Sequence, residues 1–458
     1  MNPKMVVILF LITMRIAVPA LAQDPDGPGS EHAAWTGSTE QKMWGLMTVW
    51  SEAKYAFPWF DARPDLDWDA SVRSFIPKVL AAEDQVTYYR VLSELITLLE
   101  DSHSSIVPPW GHFTPGFDHP PLSVEVVGGK FLVVATGETD EIRDSRVYPG
   151  LEILEVGDSQ PVREAFSNGV LRYHTMGSTQ ANEAILPFFL LYGPSAEAVS
   201  LKVRDLDGTV RSVSLTRNSA QRDGSPFLPR FIRNMMQSTI TSRELQGGVL
   251  YIAIPTLEND RIRTDFLHLI DSTDLSSVNG MILDLRGNMG GSSAVANGIV
   301  GSLIDEPVVA PTMTFPLYSA ARRAWGRETQ WATERVEIVP RDGKRYLGPL
   351  VLLTDAITHS SAEDIVIELL TAERATVVGG RTAGGAGNAI QSSLPGGGIL
   401  RVSTFRAAFP DGREYVGNGV VPDVEILPER EDIVRGSDPV LSKAIEMTIQ
   451  SSPTLGSR

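Results

Sequence analysis

The sequence predicts an α/β protein of several domains, and three observations carry that prediction. From about Gly247 onward, apolar runs such as Val249-Leu250-Tyr251-Ile252-Ala253-Ile254 and Met281-Ile282-Leu283-Asp284-Leu285 alternate with helical stretches, the order of βαβ units. Ahead of them, between about Pro121 and Arg217, short β-rich runs are separated by turns. In front of both, from about Glu40 to Ser105, apolar residues recur at helical spacing. A chain of 458 residues has room for about three such units at roughly 150 residues each.

Composition narrows the function. Hydrophobic residues make up 42% and charged residues 21%, a mixture that folds in water. Forty Lys plus Arg against 56 Asp plus Glu leave a net charge of -16, which argues against nucleic acid or anionic lipid as the main partner. With no cysteine there is no thiol nucleophile, disulfide framework or cysteine-based zinc site. No H-E-x-x-H, no two-histidine helical spacing and no Ca²⁺-loop pattern occurs, so no metal or organic cofactor is expected.

The elements follow in chain order. Lys4, the apolar run Met5 to Met14 and the small-residue site Ala20-Leu21-Ala22 have signal-peptide order, so cleavage before Gln23 is expected. Arg15 and Pro19 interrupt the run, which is too short for a membrane span of ~20 apolar residues. The mature chain is therefore expected to be periplasmic or secreted, starting with a flexible leader, 23–38. In the helical front, Trp44, Leu46, Met47, Val49 and Trp50 form one expected core stripe, and Tyr89, Val91, Leu92, Leu95, Leu98 and Leu99 another. The β-rich stretch contains Leu122 to Val127, Phe131 to Val134 and Val199 to Val203, with hairpin signals at Gly128-Gly129 and Asp207-Gly208. A helical interval, Gln180 to Leu191, breaks the pattern.

The chemistry concentrates in the last region. Asp284-Leu285-Arg286-Gly287-Asn288-Met289-Gly290-Gly291 ends an apolar strand in a glycine-rich turn, where backbone N–H groups can approach an oxyanion. Val351 to Asp355 reads as a strand and Ala356 to His359 as a turn. Ser360-Ser361-Ala362-Glu363 then opens an apolar helix with the pattern of a capping box, worth on the order of 1 kcal/mol. The same helix mouth stabilises negative charge, so it also suits a nucleophile with half an oxyanion hole. The glycines from Gly379 to Gly387 lack the Lys-Ser/Thr pair of a phosphate loop.

Taken in order, Asp284 to Gly291, Ser360 to Glu363, Gly380-Arg381-Thr382-Ala383-Gly384 and Gly417-Asn418-Gly419-Val420-Val421-Pro422-Asp423 resemble the C-terminal-processing and tricorn-core serine peptidases, the tail-specific protease family. Tyr148 to Asp158 is similar to the core strand of that family's PDZ-like domain, and Leu99 to Ser104 to the end of its N-terminal helical region. The resemblance implies a crotonase-like ββα superhelix for the core. Expected boundaries are 39–118 for the helical region, 119–220 for the PDZ-like domain, 235–440 for the core and 441–458 for a C-terminal helix and tail.

The resemblance selects Ser360 as nucleophile, with the backbone N–H groups of Ser361 and Gly290 as oxyanion donors and Gly291 as the close alternative to Gly290. Bacterial processing peptidases place a lysine base where this chain has Gly385, and no lysine occurs between Lys344 and Lys443. A hydroxyl needs a base within reach, so a histidine must serve. Seven are available: His32, His103, His112, His119, His174, His268 and His359. His359 adjoins Ser360, but neighbouring side chains diverge and a turn histidine beside a cap is expected to face solvent. Asp101-Ser102-His103 resembles the branch containing tricorn and interphotoreceptor retinoid-binding protein, whose base is a histidine from far upstream, so His103 is the expected base. Ser102 beside it is expected to orient the ring. That branch also uses a carboxylate near the last motif; Val416 stands there instead, and Glu414 is the expected substitute. Asp423 is expected to be a turn residue.

The expected function is an exported serine endopeptidase that hydrolyses polypeptide through an acyl-enzyme, with substrate tails held at a sheet edge of the PDZ-like domain. The alternative is a noncatalytic binder of an apolar ligand or peptide on the same scaffold. An acyl-CoA enzyme on the same core fold is disfavoured, because export separates it from that substrate pool.

Overall fold

The computed structural model describes residues 34–111, 114–157, 159–218 and 227–450. The expected signal peptide, most of the leader, the C-terminal tail, His32, His112 and Asp158 lie outside the described residues. No helix among the described residues is long and apolar enough to cross a membrane.

Three helices form the front: α1 (Thr39–Ala56), α2 (Trp68–Ala81) and α3 (Gln85–Ile96). Each starts at a residue whose side chain accepts a first-turn N–H: Ser38 from Gln41, Asp67 from Ala70 and Asp84 from Thr87. Leu46, Val49, Tyr89, Leu92 and Leu95 fill the space between them, as expected. Trp44 and Met47 do not: they are 64% and 50% exposed. At 3.6 residues per turn they fall away from the face that Leu46, Val49 and Ala53 share. After α3 the chain turns at Glu100, whose φ of 47° is left-handed, and runs through Asp101–Ser104 into β1 (Ser105–Val107).

The next unit is an antiparallel sheet of β2 (Leu122–Val127), β3 (Lys130–Thr136), β4 (Glu152–Val156), β5 (Ala198–Arg204) and β6 (Val210–Thr216), in that order. Gly128 and Gly129 join β2 to β3 with φ of 57° and 76°, the double positive φ that a two-residue hairpin loop requires. Along β5, Val199, Leu201 and Val203 face inward between exposed neighbours, so one face of this sheet is wet. Helix α4 (Thr179–Ile185) continues as a 3₁₀ turn over Leu186–Leu191, where the sequence pattern expects a helical interval.

The last unit contains β7 (Thr241–Leu245), β8 (Val249–Ala253), α5 (Asp260–Ser272), β9 (Gly280–Asp284), α6 (Ser293–Val300), β10 (Leu350–Thr354), α7 (Ser361–Thr371), β11 (Thr376–Gly379), β12 (Ile390–Leu394), β13 (Gly398–Val402), β14 (Val424–Glu425) and α8 (Pro439–Gln450). Its main sheet runs β7-β8-β9-β10-β11-β14, with β7 antiparallel to β8 and the other pairings parallel. Ile252, Leu283, Leu352 and Val377 pack with residues of α5, α6 and α7 on one face. Val249, Ile282, Val351 and Val378 pack with Val440 and Ala444 of α8 on the other. Burial on both faces is why these strands read as unbroken apolar runs. β1 pairs antiparallel with β13, and Leu400 and Val402 of β13 complete the front's core. β13 thereby joins the front to the rear, and Leu394 of β12 packs into the same core.

Candidate active site

Adjacent parallel strands β9 and β10 end together, and the turns that follow them build one site, where crevices form on open α/β sheets. Asp355, just past β10, accepts the N–H groups of Ile357 at 3.0 Å, Thr358 at 2.9 Å and Gly287 at 3.0 Å. One carboxylate thus ties the two turns together.

Ser360 stands at the mouth of α7 with φ 57° and ψ -130°. This conformation suits glycine and costs a serine on the order of 1–3 kcal/mol, so its surroundings must hold it. The expected capping box does so: the Glu363 carboxylate accepts the Ser360 N–H at 3.0 Å. Glu363 is fully buried and also accepts Thr382 O–H at 2.5 Å, Gly384 N–H at 2.8 Å and Gly385 N–H at 2.9 Å. Burial pushes its carboxyl up to about 7, with these bonds pulling the other way. The motif around Thr382 and Gly384 therefore braces the turn of Ser360.

His103 arrives from the helical front. Its Nε2 lies 3.2 Å from Ser360 Oγ, and its Nδ1 lies 3.2 Å from Ser102 Oγ. The loop is fastened to the end of β13: Ser403 O–H donates to buried Asp101 at 2.6 Å, and Ser403 N–H donates to Ser104 Oγ at 3.1 Å. It also runs close to backbone, since a Cβ on Gly177 would sit 3.1 Å from Ser102 N and one on Gly387 3.2 Å from His103 Cβ. Burial holds the His103 imidazolium pKa well below the ordinary value, and the nearby His359 and Arg401 act in the same sense. The ring is neutral at pH 7 and has a lone pair to offer.

His359 corrects the expectation of an exposed turn histidine. It is buried, and its ring stacks on His103 with centroids 4.8 Å apart and 17° between planes. Its Nε2 lies 2.9 Å from Ser102 Oγ, and its Nδ1 lies 3.4 Å from the Met289 carbonyl oxygen. Burial lowers its pKa to about 4, against the Met289 bond and helped by Arg401. The positive φ at Ser360 lets two successive side chains reach the same Ser102–His103 unit. A trace of this was present in the sequence at Gly385, where the lysine is missing. A Cβ there would lie 1.9 Å from His359 Nε2 and 2.5 Å from Ser102 Oγ.

Glu414 sits elsewhere, and the Gly290 N–H is already engaged. Glu414 is exposed and bridges to Ala408; the extended run ends there, Tyr415 turns inward and a turn begins at Val416, so Glu414 does not reach the imidazole. The N–H of Gly290 is committed to Asn288 Oδ1 at 2.8 Å. At Gly291 the bridge to Leu257 uses Leu257 N–H on Gly290 C=O and Ser292 N–H on Leu257 C=O, which leaves the Gly291 N–H outside it. Gly290 still presses on the site, since a Cβ there would meet Ser360 Cβ at 2.8 Å and Ser361 N at 3.0 Å. Ser361 is buried, and its Oγ meets no hydrogen-bond partner among the described residues. Asp423 caps a strand, accepting Val377 N–H at 2.8 Å.

Comparison with known proteins finds a family match over the rear unit and solved structures of similar fold. Residues 248–426, which span the two turns and α7, match the model of Peptidase family S41. Mature CPAF superposes with a TM-score of 0.71 at 19% identity, covering 91% of this chain and 98% of its own. Mature CPAF complexed with lactacystin gives 0.70 at 18%, covering 90% and 99%. A photosystem II D1 C-terminal processing protease gives 0.46 at 17%, covering 88% and 99%. The match of residues 248–426 supports a serine peptidase of the tail-specific protease family.

Proposed function

We propose that the protein is an exported endopeptidase that cleaves polypeptide with a Ser360–His103 pair rather than a serine and lysine. Ser360 Oγ attacks the scissile carbonyl as His103 Nε2 takes its proton; the same nitrogen then protonates the leaving amine, and water hydrolyses the acyl-enzyme by the reverse roles. The oxyanion lies at the mouth of α7, facing the N–H of Ser361 and, in place of Gly290, the N–H of Gly291. The observation that carries the reading is the 3.2 Å contact of His103 Nε2 with Ser360 Oγ, made by a ring that burial keeps neutral. The rest of the assignment goes with it: a histidine-base branch of the family, a crotonase-like core at 235–440 and a PDZ-like domain at 119–220. In that domain a substrate tail adds to a sheet edge. The signal-peptide order of residues 1–22 supports export.

A fluorophosphonate probe tests the pair. The folded protein is expected to label, Ser361→Ala to label as well, and Ser360→Ala not to. Absence of labelling in correctly folded protein would favour a noncatalytic binder on the same scaffold.

A further inference from the structure

We infer that His359 is the positioning residue that replaces the missing carboxylate, and that a one-way chain of hydrogen bonds starting at a backbone carbonyl sets the tautomer of His103. The inference rests on the Ser360–His103 reading and deepens it.

The chain has four contacts and only one consistent polarity. The Met289 carbonyl can only accept, so the His359 Nδ1 that it meets at 3.4 Å carries the proton. In a neutral ring the other nitrogen then has the lone pair, so Ser102 O–H donates to His359 Nε2 across 2.9 Å. With its proton spent, Ser102 Oγ accepts from His103, so His103 Nδ1 carries the proton across 3.2 Å. His103 Nε2 is left with its lone pair toward Ser360 O–H at 3.2 Å, the state that a general base requires. A carboxylate beside the base ordinarily fixes this tautomer. Here a peptide carbonyl does so through a hydroxyl and a second imidazole.

Three further observations fit. The stacking of the two rings leaves His103 little freedom to rotate. Gly385 leaves vacant the space in which any side chain would cut the Ser102–His359 contact. His359 and Arg401 act on the His103 ring and Arg401 on the His359 ring, and burial with Arg401 keeps both neutral, which the chain demands.

The test compares His359→Phe, which keeps a flat stacked ring without an acceptor, with His359→Gln, whose amide can accept from Ser102 and donate to Met289. Without an acceptor, Ser102 O–H turns to His103 Nδ1, the ring proton moves to Nε2 and the base is blocked. The rate of fluorophosphonate labelling is expected to fall about 10²-fold in His359→Phe, the scale of an ångström-sized misplacement, and to recover at least about tenfold of that in His359→Gln. Nitrogen-15 NMR of the unmodified protein is expected to find the His103 proton on Nδ1, and on Nε2 in His359→Phe. A proton on Nε2 in the unmodified protein overturns the inference whatever the variants do. So does a His359→Phe protein that labels within a factor of two of the unmodified chain while His103→Ala does not label. Labelling that survives His103→Ala would instead remove the pair on which the inference rests.

Discussion

The turn that carries His359 and Ser360 and the loop that carries Ser102 and His103 meet at two hydrogen bonds, yet they are held there by opposite means. Ser360 follows a strand whose five residues are all buried, and Asp355 and Glu363 brace it within its own sheet. Its position is local, and it is strained. His103 itself has no positive φ, and its loop depends on borrowed contacts: Ser403 and Gly387 from the rear unit, Gly177 from the middle one. The difference teaches that Ser360 is held largely by its own unit, whereas His103 is held by contacts between units. Pairing of β1 with β13 brings the proposed base to the proposed nucleophile.

The widest test of this contrast removes each partner. Ser360→Ala and His103→Ala should both lower hydrolysis of fluorescein-labelled casein by about 10⁴- to 10⁶-fold, because members of a catalytic unit fail together. Stability should separate them. Ser360→Gly relieves the positive φ and should unfold at a higher temperature than Ser360→Ala, by the equivalent of about 1–2 kcal/mol. His103→Gly has no such strain to release and should be no more stable than His103→Ala. Equal melting points for the two Ser360 variants would remove strain from the account.

Gly385→Ala tests the meeting point itself. The new Cβ would overlap His359 Nε2 and Ser102 Oγ, both at the ends of side chains, so the protein should fold and the chain of contacts should open. Casein hydrolysis should fall by about 10- to 10²-fold with little change in melting temperature. Full activity would mean that the Ser102–His359 contact is dispensable.

The same contrast decides what the sequence made legible. The parallel strands, the glycine turn after Asp284 and the capping box at Ser360 are written in consecutive residues, so apolar runs and helix-start chemistry located them. His103 and Ser102 came from the resemblance of a short segment, since no local pattern says that a loop after Glu100 meets a turn after Thr354. Glu414 misses the site because the extended run ends at a one-residue bridge, which the sequence does not mark. His359 escapes a sequence reading because adjacent side chains diverge on ordinary backbone, and a serine at φ 57° is not visible in the sequence. The Gly290 N–H was lost to a side chain two residues away, Asn288, a competition that a glycine motif does not disclose.

The smallest expected effect concerns the fastening of the His103 loop. Asp101 is buried, and burial raises its pKa while Ser104 and Ser403 oppose the rise by bonding to its charged form. A carboxyl whose folded pKa lies above its unfolded one holds a proton that the unfolded chain has released. Its contribution to stability therefore falls as pH rises above the ordinary aspartate range. Ser403→Ala deletes the 2.6 Å donor to that charge, so the rise is less opposed and the fall steeper. In urea titrations the variant should lose about 1–3 kcal/mol at pH 7 and less below the ordinary aspartate range, where the carboxyl holds its proton. Because the loop also carries the base, casein hydrolysis should drop a few-fold while Ser360 stays braced. A loss of stability that does not vary with pH would mean that Ser403 supports the loop by packing rather than through Asp101. The base would then be delivered by shape alone.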